Sequence, residues 1–239
     1  MFGPLVVLFF LRGVFDSVYL PSIEIYGGSY VPFALVGLVV TTYSFTALRA
    51  FSDNLRSAQI TGTLEVLLLT RSRLSTIIVG WALFPFLEAT IQMIVFLACG
   101  FLVLGVHLGD SNVAGTLLVL ILTVAIMAGF GILAAGFTLI FKKGDPFTGL
   151  IVAASGLLSG TMYPVSVLPE WLQTVAHLLP QTYSIEATRL AILQGASVVQ
   201  LLPQLGPLIL FAGILLPLSL AAFHYSMRRA LVEGSLAHY

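Results

Sequence analysis

Two pairs of polar side chains stand out in a chain that is otherwise strongly apolar. Glu88 and Gln92 lie four residues apart in a long apolar run, and Glu186 and Arg189 lie three residues apart in a predicted helix. Residues at these spacings share one face of a helix. A carboxyl group in an apolar segment is costly unless it is protonated, paired or facing water, so Glu88 and Gln92 are candidates for a functional polar site. The alternative interpretation is a hydrogen bond to a neighbouring helix.

The composition predicts that these residues belong to an integral membrane protein. The 239 residues are 59% hydrophobic and only 8% charged, whereas soluble domains carry about 25% charged residues. Five clear apolar runs could each cross a hydrocarbon core about 30 Å thick. A sixth run is weaker because Arg12 and Asp16 interrupt it. We therefore predict one all-α domain over residues 1–239 with six transmembrane helices. The weaker run is 4–20, and the clear ones are 31–48, 77–106, 113–141, 146–162 and 207–225.

The placement of basic residues predicts how the chain is oriented. Its net charge is zero, which gives no indication of nucleic-acid binding. Eight of the ten basic residues nevertheless lie at alternate span ends, and these ends are expected to be cytoplasmic. The sequence thus predicts a multi-pass protein of the cytoplasmic membrane, with both termini in the cytoplasm and residues 160–195 facing outward. The eight are Arg49, Arg56, Arg71, Arg73, Lys142, Lys143, Arg228 and Arg229.

Residues 160–195 are apolar enough to touch lipid, but prolines interrupt them too often for a span. A short amphipathic helix is predicted over 169–179, and a second helix, carrying Glu186 and Arg189, over 183–194. Gly195 is suited to the position just after a helix C-terminus. We interpret the pair as an outward re-entrant helical hairpin before the last span. It is a candidate outer gate, with Trp171, Leu172 and Leu179 on its apolar face and a possible pairing of Glu186 with Arg189.

Residues 53–73 form the one long cytoplasmic loop in the predicted topology. Gly62 interrupts the preceding helix, Thr63 is a good N-cap, and Glu65 lies in a first turn where the helix dipole favours an acid. The apolar face of the next short helix consists of Leu64, Leu67 and Leu68. On periodicity alone, an interfacial helix anchored at the headgroups is an equally good interpretation.

These two segments together resemble a known family. The order Tyr-Pro, Leu-Pro-x-Trp-Leu-Gln, Leu-Pro-x-Thr-Tyr, Glu-x-x-Arg and Gly in residues 160–195 closely resembles the C-terminal signature of ABC-2 type transporter permeases. Gly-Thr-Leu-Glu, a leucine run and Thr-Arg-Ser-Arg in residues 53–73 are similar to the family's segment between spans two and three. The resemblance covers residues 31–229. This chain has Arg71 where the family commonly has proline, and the basic amphipathic helix that usually precedes the first span is missing.

The resemblance implies a function and a set of partners. It implies the permease subunit of an ATP-driven exporter for an amphiphilic drug-, lipid- or glycan-like substrate, working as a homodimer or heterodimer with a second permease in membrane lipid. It also implies that a coupling helix docks on an ABC ATPase subunit. The residues that would form this coupling helix are Thr63, Leu64, Glu65, Leu67 and Leu68.

The chain has no phosphate-loop motif of the Gly-x-x-x-x-Gly-Lys-Ser/Thr type. We therefore expect no nucleotide-binding domain, catalytic residue, cofactor or metal on this chain, with ATP and Mg²⁺ bound by the partner subunit. The single cysteine, Cys99, excludes an internal disulfide and is expected to pack in the bundle. Two other classes of function stay open. One is an ion-coupled carrier that uses Glu88, which would be expected to show inverted repeats, and the other is a non-transporting membrane scaffold or assembly factor.

Overall fold

A computed structural model describes residues 21–26, 29–63, 74–104, 111–141 and 146–232. Throughout these ranges the chain is helical where it is regular, and they contain no β-strand. The described ranges contain seven α-helices and two short 3₁₀ segments, Pro21–Tyr26 and Val165–Val167. The α-helices are α1 (Tyr30–Ile60), α2 (Leu74–Leu104), α3 (Val113–Phe141), α4 (Pro146–Leu158), α5 (Glu170–His177), α6 (Pro180–Leu193) and α7 (Leu202–Val232).

Four of these helices are long and apolar enough to cross a membrane: α1, α2, α3 and α7. Each has 29 to 31 residues, or about 44–46 Å at 1.5 Å per residue. That length exceeds the roughly 30 Å of a hydrocarbon core, so each helix must tilt or extend beyond it. The structure therefore agrees with four of the predicted spans, and the chain is an all-helical protein with multiple apolar helices of membrane-spanning length.

The fifth predicted run, 146–162, is a helix of only 13 residues, α4. At about 20 Å it is shorter than a hydrocarbon core. The helix ends at Leu158 and the chain turns at Gly160, whose φ of 77° is a left-handed conformation that favours glycine. The weaker run 4–20 lies outside the described residues. The count of six spans is therefore not confirmed.

The centre of the bundle is formed by α1 and α3. In the apolar stretch of α1 about two thirds of the residues are buried, and in that of α3 over half are buried. The buried share is only 17% in the apolar stretch of α2 and 22% in that of α7. Helix α3 packs against both α1 and α7, and α2 packs against α1. A Cβ atom at Gly131 would overlap the carbonyl oxygen of Leu48, so this glycine allows α1 and α3 to pack backbone to backbone.

The two short helices predicted in residues 160–195 are present as α5 and α6. Helix α5 is slightly shorter than predicted, and α6 begins three residues earlier because Pro180 occupies its first turn, where proline needs no hydrogen bond. Gly195 follows α6 with φ 62°, as predicted for a glycine at this position. Helix α6 packs between α1, α3 and α7. The re-entrant path of this segment in a membrane stays a prediction.

Candidate functional site

Arg189 on α6 lies at the centre of a buried polar cluster. Its side chain is only 3% exposed, and its three nitrogens donate to three backbone carbonyls from two other segments. Nε donates to Phe33 O on α1 at 3.1 Å, Nη1 to Gly160 O at 2.8 Å and Nη2 to Thr161 O at 2.7 Å. The guanidinium carbon also lies 3.4 Å from the centroid of the Phe33 ring, a cation–π contact. This one side chain thus fastens α6 and the turn after α4 to α1.

The suggested pairing of Glu186 with Arg189 is not the contact that the structure shows. The carboxylate of Glu186 instead accepts a long hydrogen bond from Gln204 Nε2, at 3.4 Å. The three carbonyl oxygens together accept from Nε, Nη1 and Nη2, whereas one carboxylate has only two oxygens to offer. Burial lowers the pKa of Arg189 to about 9, while Tyr26, Glu186 and Tyr30 act to raise it. The group therefore remains charged at neutral pH.

Gly37 makes room for the Arg189 cluster, and the sequence analysis did not identify it. A Cβ atom at this position would overlap both the carbonyl oxygen of Thr161 and Nη2 of Arg189. One turn further along α1, the hydroxyl of Thr41 lies 2.9 Å from that of Thr161 and accepts from Gln181 Nε2 at 3.3 Å. A glycine and a threonine four residues apart in an apolar helix are a weak signal of helix contact, and the partners could not have been named from it.

A cavity of about 260 Å³ opens beside this cluster. Both Glu186 and Arg189 line it from α6, and Tyr26 lines it from the first 3₁₀ segment. Burial raises the pKa of the Tyr26 phenol, with Glu186 adding to the rise and Arg189 opposing it, so the phenol is a neutral donor and acceptor at neutral pH. The arrangement offers charged and neutral hydrogen-bonding groups in a confined space, which is the chemistry of ligand binding. Other lining residues are Ser159, Gly160 and His177.

The apolar candidates for an outer gate lie apart from the hydrogen bonds of the Arg189 cluster. Trp171 on α5 is 68% exposed, and Leu172 beside it is half-buried. Helix α5 has one buried side chain, Ala176. An exposed tryptophan on an amphipathic helix is typical of the boundary between membrane and water. The structure therefore leaves the Trp171 side chain free to contact lipid or a second subunit.

Glu88 and Gln92, the two polar residues predicted to form a site inside the membrane, lie in different environments. Glu88 is exposed on the outer face of α2, beside the exposed side chains of Leu87 and Ile91. Gln92 is half-buried and lines a narrow groove between α2 and α1 that also contains Thr42. The two side chains share a helix but do not point into one common site.

Of the five predicted coupling residues, only the first, Thr63, lies within the described residues. Helix α1 ends at Ile60, and Gly62 follows with φ 67°, so the predicted helix break is confirmed. The Thr63 hydroxyl is exposed and lies 2.9 Å from that of Thr61. The remaining predicted residues, Leu64, Glu65, Leu67 and Leu68, lie outside the described residues. In the described ranges, no group of three or more His, Cys, Asp or Glu residues could hold a metal ion.

Comparison with known proteins relates this architecture to a family of membrane transporters. The pattern of the ABC-2 type transporter family matches residues 1–193, about four fifths of the chain. Over 135 residues, the chain is 27% identical to the linearmycin resistance permease protein LnrN of Bacillus subtilis strain 168. That alignment covers 56% of this chain and 34% of the relative, so the chain spans about a third of the curated protein that it matches. The family match includes the Arg189 cluster, and the long apolar helices with two short helices before the last one agree with a membrane transporter. The chain belongs to the ABC-2 type transporter family.

Proposed function

We propose that this chain is the permease subunit of an ATP-driven exporter in the cytoplasmic membrane. The observation that carries the proposal is the family match over residues 1–193, which includes both the α1–α2 connection and the α5–α6 segment. The chain contains no phosphate loop, so ATP hydrolysis with Mg²⁺ is assigned to a separate ABC ATPase subunit. A second permease, identical or different, completes the proposed transporter.

The proposed contact with the ATPase is the segment that follows α1. This helix is about 46 Å long, so the end that carries exposed Arg49 and Arg56 extends beyond the hydrocarbon core. Basic residues favour the cytoplasmic side, which is where an ATPase is available. The residues proposed to dock on it are Thr63, Leu64, Glu65, Leu67 and Leu68.

Helix α1 is also the element proposed to transmit motion. Its first half bonds to Arg189 and Thr161, and its last residue, Ile60, lies three positions before Thr63, the first proposed coupling residue. Because a continuous helix moves largely as a rod, a push at its cytoplasmic end would displace α6 and the turn after α4 at the other end. Two such bundles rocking about their shared interface would open a path alternately to each side. Outward release would pass Trp171 and Leu172, the proposed gate residues with Glu186 and Arg189.

An amphiphilic drug-like molecule is the proposed substrate, with lipid-like and glycan-like molecules as further classes. The relative LnrN is named as a resistance permease for linearmycin. From that name we carry over to this chain only the class of function, which is the removal of a harmful compound from the cell. An apolar bundle with exposed faces on α2 and α7 is compatible with a substrate that enters from the membrane.

The test has two steps: whether an adjacent gene encodes a phosphate-loop ATPase without membrane spans, and whether the chain and that ATPase together carry out ATP-dependent transport. In inverted membrane vesicles that contain both proteins, ATP should drive uptake of a fluorescent amphiphilic dye, and a catalytic-glutamate variant of the ATPase should abolish uptake. Uptake that persists with the inactive ATPase and stops when the ion gradient is collapsed would instead indicate a carrier that uses Glu88. Normal membrane insertion with no transport of any tested compound would favour the scaffold.

A further inference from the structure

The cavity beside Arg189 presents opposite charges on one face of α6. Glu186 and Arg189 both line it, three residues apart, so their Cβ atoms are about 5–6 Å apart. Among the described residues, three of the five N–H groups of Arg189 bond to carbonyls, which leaves two for a ligand. One carboxylate oxygen of Glu186 accepts the long bond from Gln204, and for the other no hydrogen bond occurs within the described ranges.

Hydrogen bonds hold the walls of this cavity in place without any ligand. Gln173 Nε2 donates to Leu168 O at 2.7 Å and to Ser166 O at 3.3 Å, which fixes the segment between the second 3₁₀ turn and α5. Thr182 Oγ1 donates to Ala176 O at 2.6 Å across the corner between α5 and α6. Because these contacts are already made, little conformational entropy would be lost on binding. The cavity is therefore a preformed site.

We propose that this cavity binds a phosphate–ammonium zwitterion, the chemistry of a phosphoethanolamine headgroup. The phosphate would accept from the two uncommitted N–H groups of Arg189, since a guanidinium fork matches phosphate oxygens. The ammonium would donate to the carboxylate of Glu186. A ligand with only a negative charge is disfavoured by Glu186, and one with only a positive charge by Arg189.

The size of the cavity sets a limit on the ligand. A volume of about 260 Å³ is just below the roughly 300–1,000 Å³ of most small-molecule pockets. A compact headgroup suits a pocket of that size, and the acyl chains of a lipid are assigned to its exposed rim. In phosphoethanolamine a two-carbon link separates the charges, which suits two side chains one helical turn apart better than the single carbon between the charges of an α-amino acid.

The rim of the cavity favours a membrane lipid as the source of this headgroup. Ile25, which lines the cavity, is 69% exposed, and Val167, next to the lining residue Ser166, is 61% exposed. Trp171 on the adjoining helix is 68% exposed. Exposed aliphatic and tryptophan side chains around a polar cavity are typical of the membrane–water boundary. The acyl chains would then lie along this rim while the headgroup enters the cavity.

The test is equilibrium binding to the full purified chain in detergent, measured by the rise in the midpoint of thermal unfolding as ligand is added. The probe is dihexanoyl phosphatidylethanolamine. The phosphatidylcholine and phosphatidylglycerol of the same chain length should bind about tenfold more weakly, because neither has an ammonium that can donate to Glu186. Free phosphoethanolamine is the second arm. Affinity equal to that of the lipid would assign the site to a soluble ligand, and weaker affinity would assign it to a membrane lipid.

Two variants place the binding in this cavity. Glu186→Gln should lower the affinity for the phosphatidylethanolamine about tenfold, whereas Glu170→Gln, exposed on α5 and outside the cavity, should leave it unchanged. Ser166→Phe places a ring at the exposed side of the cavity and should also reduce binding. Arg189 is left intact because it holds the turn after α4. Unchanged affinity in both cavity variants, or equal affinity for all three lipids, would overturn the proposal whether or not the chain transports anything.

Discussion

At the scale of residues, Arg189 shows how carbonyl oxygens can hold a buried cation in an apolar bundle, with no ion pair to it among the residues that the structure describes. Its charge is dispersed over three carbonyl oxygens and the face of Phe33. Removing this group would take one donor away from each of three buried carbonyl oxygens, and a buried acceptor left with no partner costs about 1–3 kcal/mol. The position of Arg189 is therefore a structural requirement of the fold as well as a feature of the cavity.

The space for this arrangement depends on one glycine, and this gives a prediction. Gly37→Ala should lower the stability of the folded protein by about 1–3 kcal/mol, because the new methyl group overlaps Thr161 O and Nη2 of Arg189. Thermal unfolding in detergent measures the change. The control is Gly213→Ala on α7, where no atom lies within 4 Å of the new Cβ. That variant should be neutral or slightly more stable, since alanine favours a helix by up to about 1 kcal/mol. Equal midpoints for the two variants would contradict the crowding at Gly37.

At the scale of elements, the end of α6 and the start of α3 are joined by Asn112. Its backbone N–H donates to Ala191 O at 2.8 Å, and its side-chain Nδ2 donates to Ala196 O at 2.8 Å. The side-chain oxygen accepts from the Gly115 N–H at 3.0 Å, as an N-cap of α3 does. One residue therefore satisfies the orphan groups of two helix ends and sets their relative position.

The two functions of this side chain can be separated by mutation. Asn112→Ala should cost about 1–2 kcal/mol, since both the cap and the bond to Ala196 are lost. Asn112→Ser keeps a hydroxyl that can cap α3 and is too short to replace the donor to Ala196 O, so it should be destabilised less than the alanine variant. Unfolding midpoints of the two, with Ser111→Ala as a control, provide the measurement. If the serine variant were no more stable than the alanine variant, the side-chain cap of α3 would contribute nothing to stability.

At the scale of the whole molecule, the placement of the charges predicts an orientation of the bundle that can be measured. In a background that lacks the native Cys99, Glu170→Cys should react with an impermeant thiol reagent in intact cells, because α5 is predicted to face outward. Asp53→Cys, exposed on the basic end of α1, should react only after the cells are opened. Labelling in the opposite pattern would invert the predicted topology.

The proposed coupling to an ATPase can also be tested on the whole molecule. Purified alone, the chain should hydrolyse no ATP. Glu65→Arg or Leu67→Asp should weaken co-purification with the ATPase subunit or uncouple transport, while membrane insertion is unchanged. The first change also places a positive charge at the positive end of a predicted helix, a cost of about 0.3–1 kcal/mol. Arg228→Gln, on the same predicted side of the membrane, should behave as the unmodified chain. Normal assembly and transport in both test variants would contradict the coupling assignment.

The sequence determined the local features of this protein. Apolar length predicted α1, α2, α3 and α7, because the hydrophobic effect acts on each segment separately. Pro169 and the glycines at 62 and 195 predicted where helices begin or end, since their backbone preferences are intrinsic. Pro180 starts α6 three residues before the predicted boundary. The order of residue types around the last helices was also sufficient to identify the family.

Only the tertiary structure decided which residues meet. The contacts of Arg189 with Phe33 and of Thr41 with Thr161 join positions that are 156 and 120 residues apart. Such pairings depend on how helices pack, and many packings satisfy the same apolar pattern. For that reason the spacing of Glu186 and Arg189 suggested an ion pair, whereas three carbonyl oxygens brought close by Gly37 and by the turn at Gly160 proved to be the partners of the arginine.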